Sequence, residues 1–273
     1  MQRYATSPAE MFASLWRNRH LILQMTKREV IGRYRGSIMG LAWSFFNPLF
    51  MLGVYTFVFS VVFKARWGVE DKGGRLGFAM ALFVGMIVHG LFAECVNRAP
   101  GLILSNVNYV KRVVFPLEIL PWVAMGSAVF HAAVSLCVLM AASFLLTLSL
   151  PWTLILFPLV ALPLVFATMG LAWFLAACGV YLRDIAQVTG FITTVLLFLS
   201  PVFYPASALP EDFRVLLFIN PLTFIIEEAR KVLLWGNPPD WQGLALYTTA
   251  SLTIAWAGFW WFQRTRHGFA DVL

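Results

Sequence analysis

Arg28, Arg33 and Arg35, together with Lys111 and Arg112, are the side chains of this sequence best suited to hold a polyvalent anion. A guanidinium offers a planar fork of donors that meets the oxygens of a phosphate or pyrophosphate in pairs, and lysine adds a point charge. The same five residues, set beside apolar runs, serve equally well as anchors among anionic lipid headgroups. A second set is aromatic. At about 100° per residue on a helix, Trp43, Phe46, Phe50 and Phe57 fall within about 60° of one another, while Phe45, Tyr55, Phe59 and Phe63 fall on a broad opposite face. Aromatic rings stack on the C–H faces of pyranose sugars and leave the hydroxyls wet, so the first stripe could line a conduit for sugar. In a chain that is 16% aromatic, such a stripe also arises from ordinary packing.

Other chemistries find little support. Cys95, Cys137 and Cys178 lie within or at the ends of apolar segments and form no CxxC pair. With His20, His89, His131 and His267 scattered, no metal site is expected. No lysine follows a glycine, so a phosphate-binding loop of the form GxxxxGK[ST] cannot exist. If ATP drives this protein, another chain must bind the nucleotide and its magnesium and hydrolyse it; no cofactor is expected on this one.

The elements that must position these residues follow from composition. Of 273 residues, 60% are hydrophobic and 12% charged, against about 25% charged in soluble domains. One water-soluble core cannot hide that much apolar surface, so the bilayer is the solvent for most of the chain. The net charge of +7 lies in short loops beside apolar runs, which points to lipid rather than nucleic acid. Crossing about 30 Å of hydrocarbon takes about 20 apolar residues. Six runs qualify, at 38–63, 76–96, 119–149, 152–180, 185–203 and 242–262, the third and fourth joined only by Ser149, Leu150 and Pro151. They are continuously apolar rather than alternating, so they are helices and not barrel strands. The expected fold is an all-α integral membrane domain spanning 1–273, with six transmembrane helices. With the N-terminus inside, 13 of the 20 lysines and arginines fall in cytoplasmic segments and seven outside, which favours cytoplasmic termini. Lys64, Arg66, Lys72 and Arg75 in the first outer loop run against that trend.

Two segments do not span. Residues 1–37 read as a helix lying in the cytoplasmic interface. Ser7-Pro8-Ala9-Glu10 forms a capping box, and Phe12, Leu15, Trp16, Leu23 and Val30 fall near one face. A solvated arm is the alternative. Residues 204–241 carry two short apolar helices, opened by Pro210-Glu211-Asp212 and Asn220-Pro221 and closed by Gly236. Each is too short to cross, which suggests a re-entrant hairpin in the outer leaflet between spans five and six. Within span two, Glu94 is expected to reach the interface or to pair with Arg98.

Several motifs taken in order resemble a known family. Arg33-Tyr34-Arg35-Gly36-Ser37 with Gly40, Trp43 and Asn47-Pro48 is similar to the start of the first span in polysaccharide-export permeases of the ABC superfamily, the type-2 exporters. Ser200-Pro201-Val202-Phe203-Tyr204-Pro205, Leu209-Pro210 and Asn220-Pro221-Leu222-Thr223 resemble that family's outer hairpin; Tyr181-Leu182-Arg183-Asp184-Ile185 its second cytoplasmic turn; and Phe269-Ala270-Asp271 its tail. The likeness runs from about residue 20 onward and is nearest to O-antigen permeases, then to those for teichoic acid. It implies a multi-pass homodimer in the bacterial inner membrane, two copies of a nucleotide-binding ATPase subunit, and an undecaprenyl-pyrophosphate-linked polysaccharide as cargo.

The resemblance also implies roles. The loop after span two, with Pro100, Leu102, Ile103, Ser105, Asn106 and Asn108 read as one short helix, would be the coupling element that meets the ATPase; an interfacial turn is the alternative. Independently of the resemblance, Glu227, Glu228, Arg230 and Lys231 read as a solvated face on the outer hairpin, and Tyr204, Glu227, Glu228 and Arg230 are the candidates for an outer gate. Competing functions are a type-2 permease for a drug, a membrane glycosyltransferase or acyltransferase, and a proton-coupled carrier. The enzyme would need an acid or histidine constellation in a sizeable loop, and 204–241 lacks histidine. The carrier would need several ionisable residues inside the spans, which are nearly bare apart from His89 and His131.

Overall fold

The computed structural model describes residues 5–62, 74–111, 115–208, 210, 212, 217 and 220–273, and among them helices are the only regular structure. Eleven α-helices are named in chain order: α1 Pro8–Arg17, α2 Arg19–Arg33, α3 Trp43–Tyr55, α4 Gly74–Arg98, α5 Val107–Lys111, α6 Leu120–Thr147, α7 Phe157–Tyr181, α8 Ile185–Leu199, α9 Pro221–Arg230, α10 Trp241–Thr265 and α11 Phe269–Val272. All six apolar runs are helical. Four stretches are long and apolar enough to cross a membrane: Gly40–Phe59, Gly77–Gly101, Leu117–Leu146 and Trp152–Tyr181. Helix α8 is apolar but shorter. At 25 residues, α10 is about 37 Å long.

The amphipathic segment is two helices rather than one. Asn18 interrupts it at φ −99° and ψ 9°. Ser7 caps α1 as expected, its hydroxyl accepting from the Glu10 N–H at 3.2 Å. The capping box is only half formed, because the Glu10 carboxylate accepts from Arg17 instead, at 2.6 Å. Met11, Ser14, Ile22 and Val30 are buried against the helices above, while Phe12, Trp16 and Leu23 remain exposed.

Helix α4 is the most enclosed of the four long apolar stretches and the Gly40–Phe59 stretch the least. Pro48 sits inside α3, and the chain widens into a π-helical stretch over Thr56–Val62. Between α6 and α7 the reversal is tight: Leu148 takes a left-handed conformation, φ 52°, and its N–H donates to the Phe144 carbonyl at 2.8 Å. Leu145, Leu148 and Ile155 around it are exposed, as lipid-facing residues are.

Helix α10 lies against α7 with backbones touching. A Cβ at Gly258 would collide with the Gly170 carbonyl, and one at Gly170 with the Ile254 carbonyl. Small residues let membrane helices approach this closely. Gly258→Leu is therefore expected to separate α10 from α7 and to cut the yield of monodisperse protein severalfold. Fluorescence-detected size-exclusion in detergent measures this, with Leu246→Ala, at an exposed position, as the comparison.

Candidate functional site

One cluster of polar residues forms where the end of α2 meets α4 and α6. Arg33 Nη1 donates to Glu94 Oε1 at 2.6 Å. His131 Nδ1 lies 3.0 Å from both Glu94 oxygens, and the Tyr34 hydroxyl is 3.2 Å from His131 Nε2. One assignment satisfies these partners: Nδ1–H donates to Glu94, and the tyrosine O–H donates to Nε2. Arg98, on the next turn of α4, stands 2.6 Å from Glu29 Oε1 and 3.9 Å from Glu94. The Glu94–Arg98 pair expected from their spacing is present, but Arg33 is the closer partner.

Two clefts flank this cluster. One, of about 620 Å³, is lined by Glu29, Gly32, Arg33, Ala93, Glu94, Asn97, Arg98 and Ser127. The other, of about 320 Å³, is lined by Arg33, Tyr34, Ser44, Asn47, Pro48, Met51, Tyr55, Phe83, Met86, Ile87, Glu94, His131 and Ser135. Arg33 and Glu94 belong to both walls.

Of the other basic residues singled out in the sequence, none of the three described ones joins this cluster. Arg28 is 3.4 Å from the Tyr109 hydroxyl, over the loop between α4 and α6. Arg35 and Lys111 are exposed, and Arg112 lies outside the described residues. Tyr34, Glu29 and His131 were missed as members of the group. The signal was present in part: ionisable groups inside apolar spans are costly, and Glu94 and His131 stand on neighbouring ones.

The loop expected as one short helix is three pieces: 3₁₀ turns at Ala99–Gly101 and Leu104–Asn106, then α5. Pro100 and Gly101 near its start, with a serine and two asparagines after them, favour turns over a continuous helix. Pro100, Leu102 and Ile103 are buried; Asn106 is half-buried and bonds back to the Leu102 carbonyl at 2.9 Å. Ser105, Asn108 and Lys111 are exposed. The Pro100 backbone sits where a Cβ on Gly179 of α7 would go. Where the loop returns, Tyr109 stacks on Phe115 at 4.2 Å. Glu118 then gathers three parts of the chain. Its carboxylate accepts from Ser14 of α1 at 3.1 Å and from Arg266, after α10, at 2.6 Å, and its backbone carbonyl accepts from Trp173 of α7 at 3.0 Å. Arg266 also donates to the Phe115 carbonyl at 2.8 Å.

Of the aromatic stripe, Trp43, Phe50 and Phe57 are exposed and Phe46 is half-buried, its ring 6.1 Å from Phe50. The opposite face divides. Phe59 packs inward on Phe78 and Phe203 at 5.5 and 6.1 Å, and Tyr55 lines the smaller cleft. Phe45 is exposed, and Phe63 lies outside the described residues.

Within 204–241, Asn220 caps α9 as expected, accepting from the Leu222 N–H at 2.9 Å, and Gly236 closes it at φ 70°. Most of the first expected short helix, after Pro210, lies outside the described residues. The solvated face expected for the charges is corrected at two positions: Arg230 and Glu228 are buried. Arg230 Nε donates to the Ala81 carbonyl at 2.9 Å, one terminal nitrogen to Glu227 at 2.8 Å and the other to the Val202 carbonyl at 3.3 Å. Burial pulls its pKa down to about 10, opposed by the Glu227 carboxylate, so it remains charged at neutral pH. Glu228 accepts from Lys231 at 2.6 Å and from the Asp240 N–H at 2.8 Å. A spacing of three residues, shared by both ion pairs, could not tell these inward bonds from surface pairs. Tyr204, half-buried, donates to the Phe198 carbonyl at 3.1 Å.

Comparison with known proteins extends these observations. The family model described as ABC-2 type transporter matches residues 20–234. The chain is 26% identical over 261 residues to an O-antigen export system permease protein RfbA of Myxococcus xanthus, covering 95% of this chain and 97% of that one. It is 23% identical over 256 residues to a protein of the same name from Klebsiella pneumoniae, covering 93% and 95%. To the polysialic acid transport protein KpsM of Escherichia coli it is 23% identical, over 84% of this chain and 88% of that one.

Proposed function

This chain belongs to the ABC-2 type transporter family, and from that premise we propose that it is the membrane permease subunit of an exporter of O-antigen-like polysaccharide. One observation carries the reading: the likeness to O-antigen export permeases runs nearly end to end in both chains. Multi-pass membrane character is established by the family and by the four long apolar helical stretches. The chain is a transport subunit rather than a catalyst.

In the full proposal six helices cross the bacterial inner membrane, with both termini in the cytoplasm. Helix α10 is the sixth span, supported by its backbone contact with α7. Helices α1 and α2 lie in the inner interface, and residues 204–241 form the outer re-entrant hairpin, with Tyr204, Glu227, Glu228 and Arg230 at a gate. Two copies of this chain work with two copies of an ATPase subunit, which holds ATP and magnesium. The exposed Ser105, Asn108 and Lys111, held by the buried Pro100, Leu102 and Ile103, supply the surface that the ATPase moves. The cargo is an undecaprenyl-pyrophosphate-linked glycan, its charge met by arginines near the inner surface.

The test is genetic and biochemical. Deleting the gene from its host should leave lipid-linked glycan inside the cell and none at the surface, and restoring it should return the surface glycan. Normal surface glycan in the deletion strain would refute the assignment. The isolated, purified chain is expected to hydrolyse no ATP above a mock preparation, by phosphate release. Turnover that persists through further purification would refute the division of labour.

A further inference from the structure

Arg33 and Glu94 form a shared wall between the two clefts, and the clefts differ in chemistry. The larger is rimmed by charge, with Arg98 and Glu29 joining the pair. The smaller has hydroxyl and amide groups set among methionine and phenylalanine. Two of its polar groups, the Asn47 amide and the Tyr55 hydroxyl, have no hydrogen-bond partner among the described residues, and they lie on one face of α3. Serines 44 and 135 reach the same cleft from α3 and α6, their hydroxyls donating to the Leu41 and His131 carbonyls and keeping lone pairs to accept with. Polar groups left without partners beside Met51, Phe83, Met86 and Ile87 suit a ligand that is hydroxylated at its edges and apolar on its faces. At about 320 Å³ the cleft is at the small end of ligand sites. It has room for a single sugar and not for a folded glycan.

We propose that the smaller cleft is a subsite for the first sugar of the cargo, the one joined to the diphosphate, and that the diphosphate docks by displacing Glu94 from Arg33. This rests on the function proposed above. The Glu94 oxygen, 2.6 Å from Arg33 Nη1, already occupies the place a phosphate oxygen would take. The carboxylate keeps the site neutral while it is empty and competes with the incoming anion. On release it retains His131 as a partner, so it is not left bare. The lipid-linked anion then lies across the shared wall, with its diphosphate against Arg33 and Arg98 and its sugar against Asn47, Tyr55 and Ser135.

The test is equilibrium binding to the full chain in nanodiscs. Three probes are used: a short-chain polyprenyl diphosphate bearing one hexose, the same lipid without sugar, and inorganic pyrophosphate. Wild-type protein is expected to prefer the sugar-bearing lipid at least tenfold over the bare one, and either lipid over free pyrophosphate. Asn47→Leu with Ser135→Ala should reduce the sugar preference at least fivefold. Tyr55→Phe, which keeps the ring, should reduce it two- to fivefold and decides the matter if the double variant is misfolded. Glu94→Gln should tighten binding of both lipids about tenfold by removing the competing anion. A wild-type ratio near one, or a ratio that neither variant changes, overturns the sugar subsite while leaving the permease assignment standing. Weaker binding in Glu94→Gln overturns the displacement. Failure to bind either lipid overturns this inference and counts against the proposed cargo as well.

Discussion

Replacing Arg230 with alanine is expected to remove most of the folded protein from the membrane. The guanidinium is buried and tied to the Ala81 carbonyl of α4, the Val202 carbonyl in the turn after α8, and the Glu227 carboxylate of its own helix. It thereby fastens α9 to α4, the most enclosed of the long apolar helices. Truncation leaves two carbonyls without this partner in a buried place and a partly exposed carboxylate without its countercharge. Breaking a fully buried pair from one side typically costs about 3–5 kcal/mol. With Glu227 partly exposed the ion pair contributes less than that, and the two buried carbonyls add to the loss, a large share of a typical stability of about 5–15 kcal/mol. Detergent-solubilised Arg230→Ala should therefore show little monodisperse peak and a large fall in melting temperature. Arg230→Lys should recover only part, because one ammonium cannot meet three acceptors spread around a planar fork. Removing both charges, with Arg230→Met and Glu227→Gln, should be milder than alanine alone. A single alanine variant that melts with the wild type would show that the three bonds are not holding α9.

The second large effect concerns transport rather than folding. Trp43→Ala with Phe50→Ala is expected to reduce export at least tenfold while leaving the amount of protein in the membrane near normal. Both rings are exposed on α3, so removing them opens no cavity within the chain. Rings on one outward stripe, met by those of a second subunit, would form a collar that holds successive sugars weakly enough to release them. Surface glycan per unit of permease is the readout. Phe45, exposed on the other side, and Phe59, packed on Phe78 and Phe203, make an instructive contrast. Phe59→Ala should lower protein level through lost packing, and Phe45→Ala should change little. Normal export with both stripe rings gone would place the stripe against lipid.

Much of the fold was legible because a membrane leaves a chain few options. Six runs of continuous apolar residues had to be helices, and each is helical, with ends within a few residues of those expected. Caps were legible too: Ser7 and Asn220 act as their types predict. Most of what stayed hidden depends on which faces meet. The break at Asn18 is local: its backbone N–H and its side-chain amide both donate to the Ser14 carbonyl and close α1, a capping role that the apolar pattern across 8–33 does not reveal. Arg33 was separated in sequence from Glu94 by 61 residues and from His131 by 98, so spacing favoured the nearer Arg98. The inward turn of Arg230 and Glu228 was invisible for a related reason. A charge among apolar residues looks the same on a wet face as in a dry one until the carbonyls of other segments are placed around it.

The knot at Glu118 has a consequence for the order of assembly. Its carboxylate is shared by Ser14 and Arg266, and Arg266 follows it by 148 residues, beyond the last long helix. During synthesis the loop after α4 and the helix before α2 emerge early, yet the knot they share with Arg266 closes only once the chain has been made through α10. On the coupling role proposed above, the surface offered to an ATPase would therefore be completed only after the C-terminal part of the chain has been made.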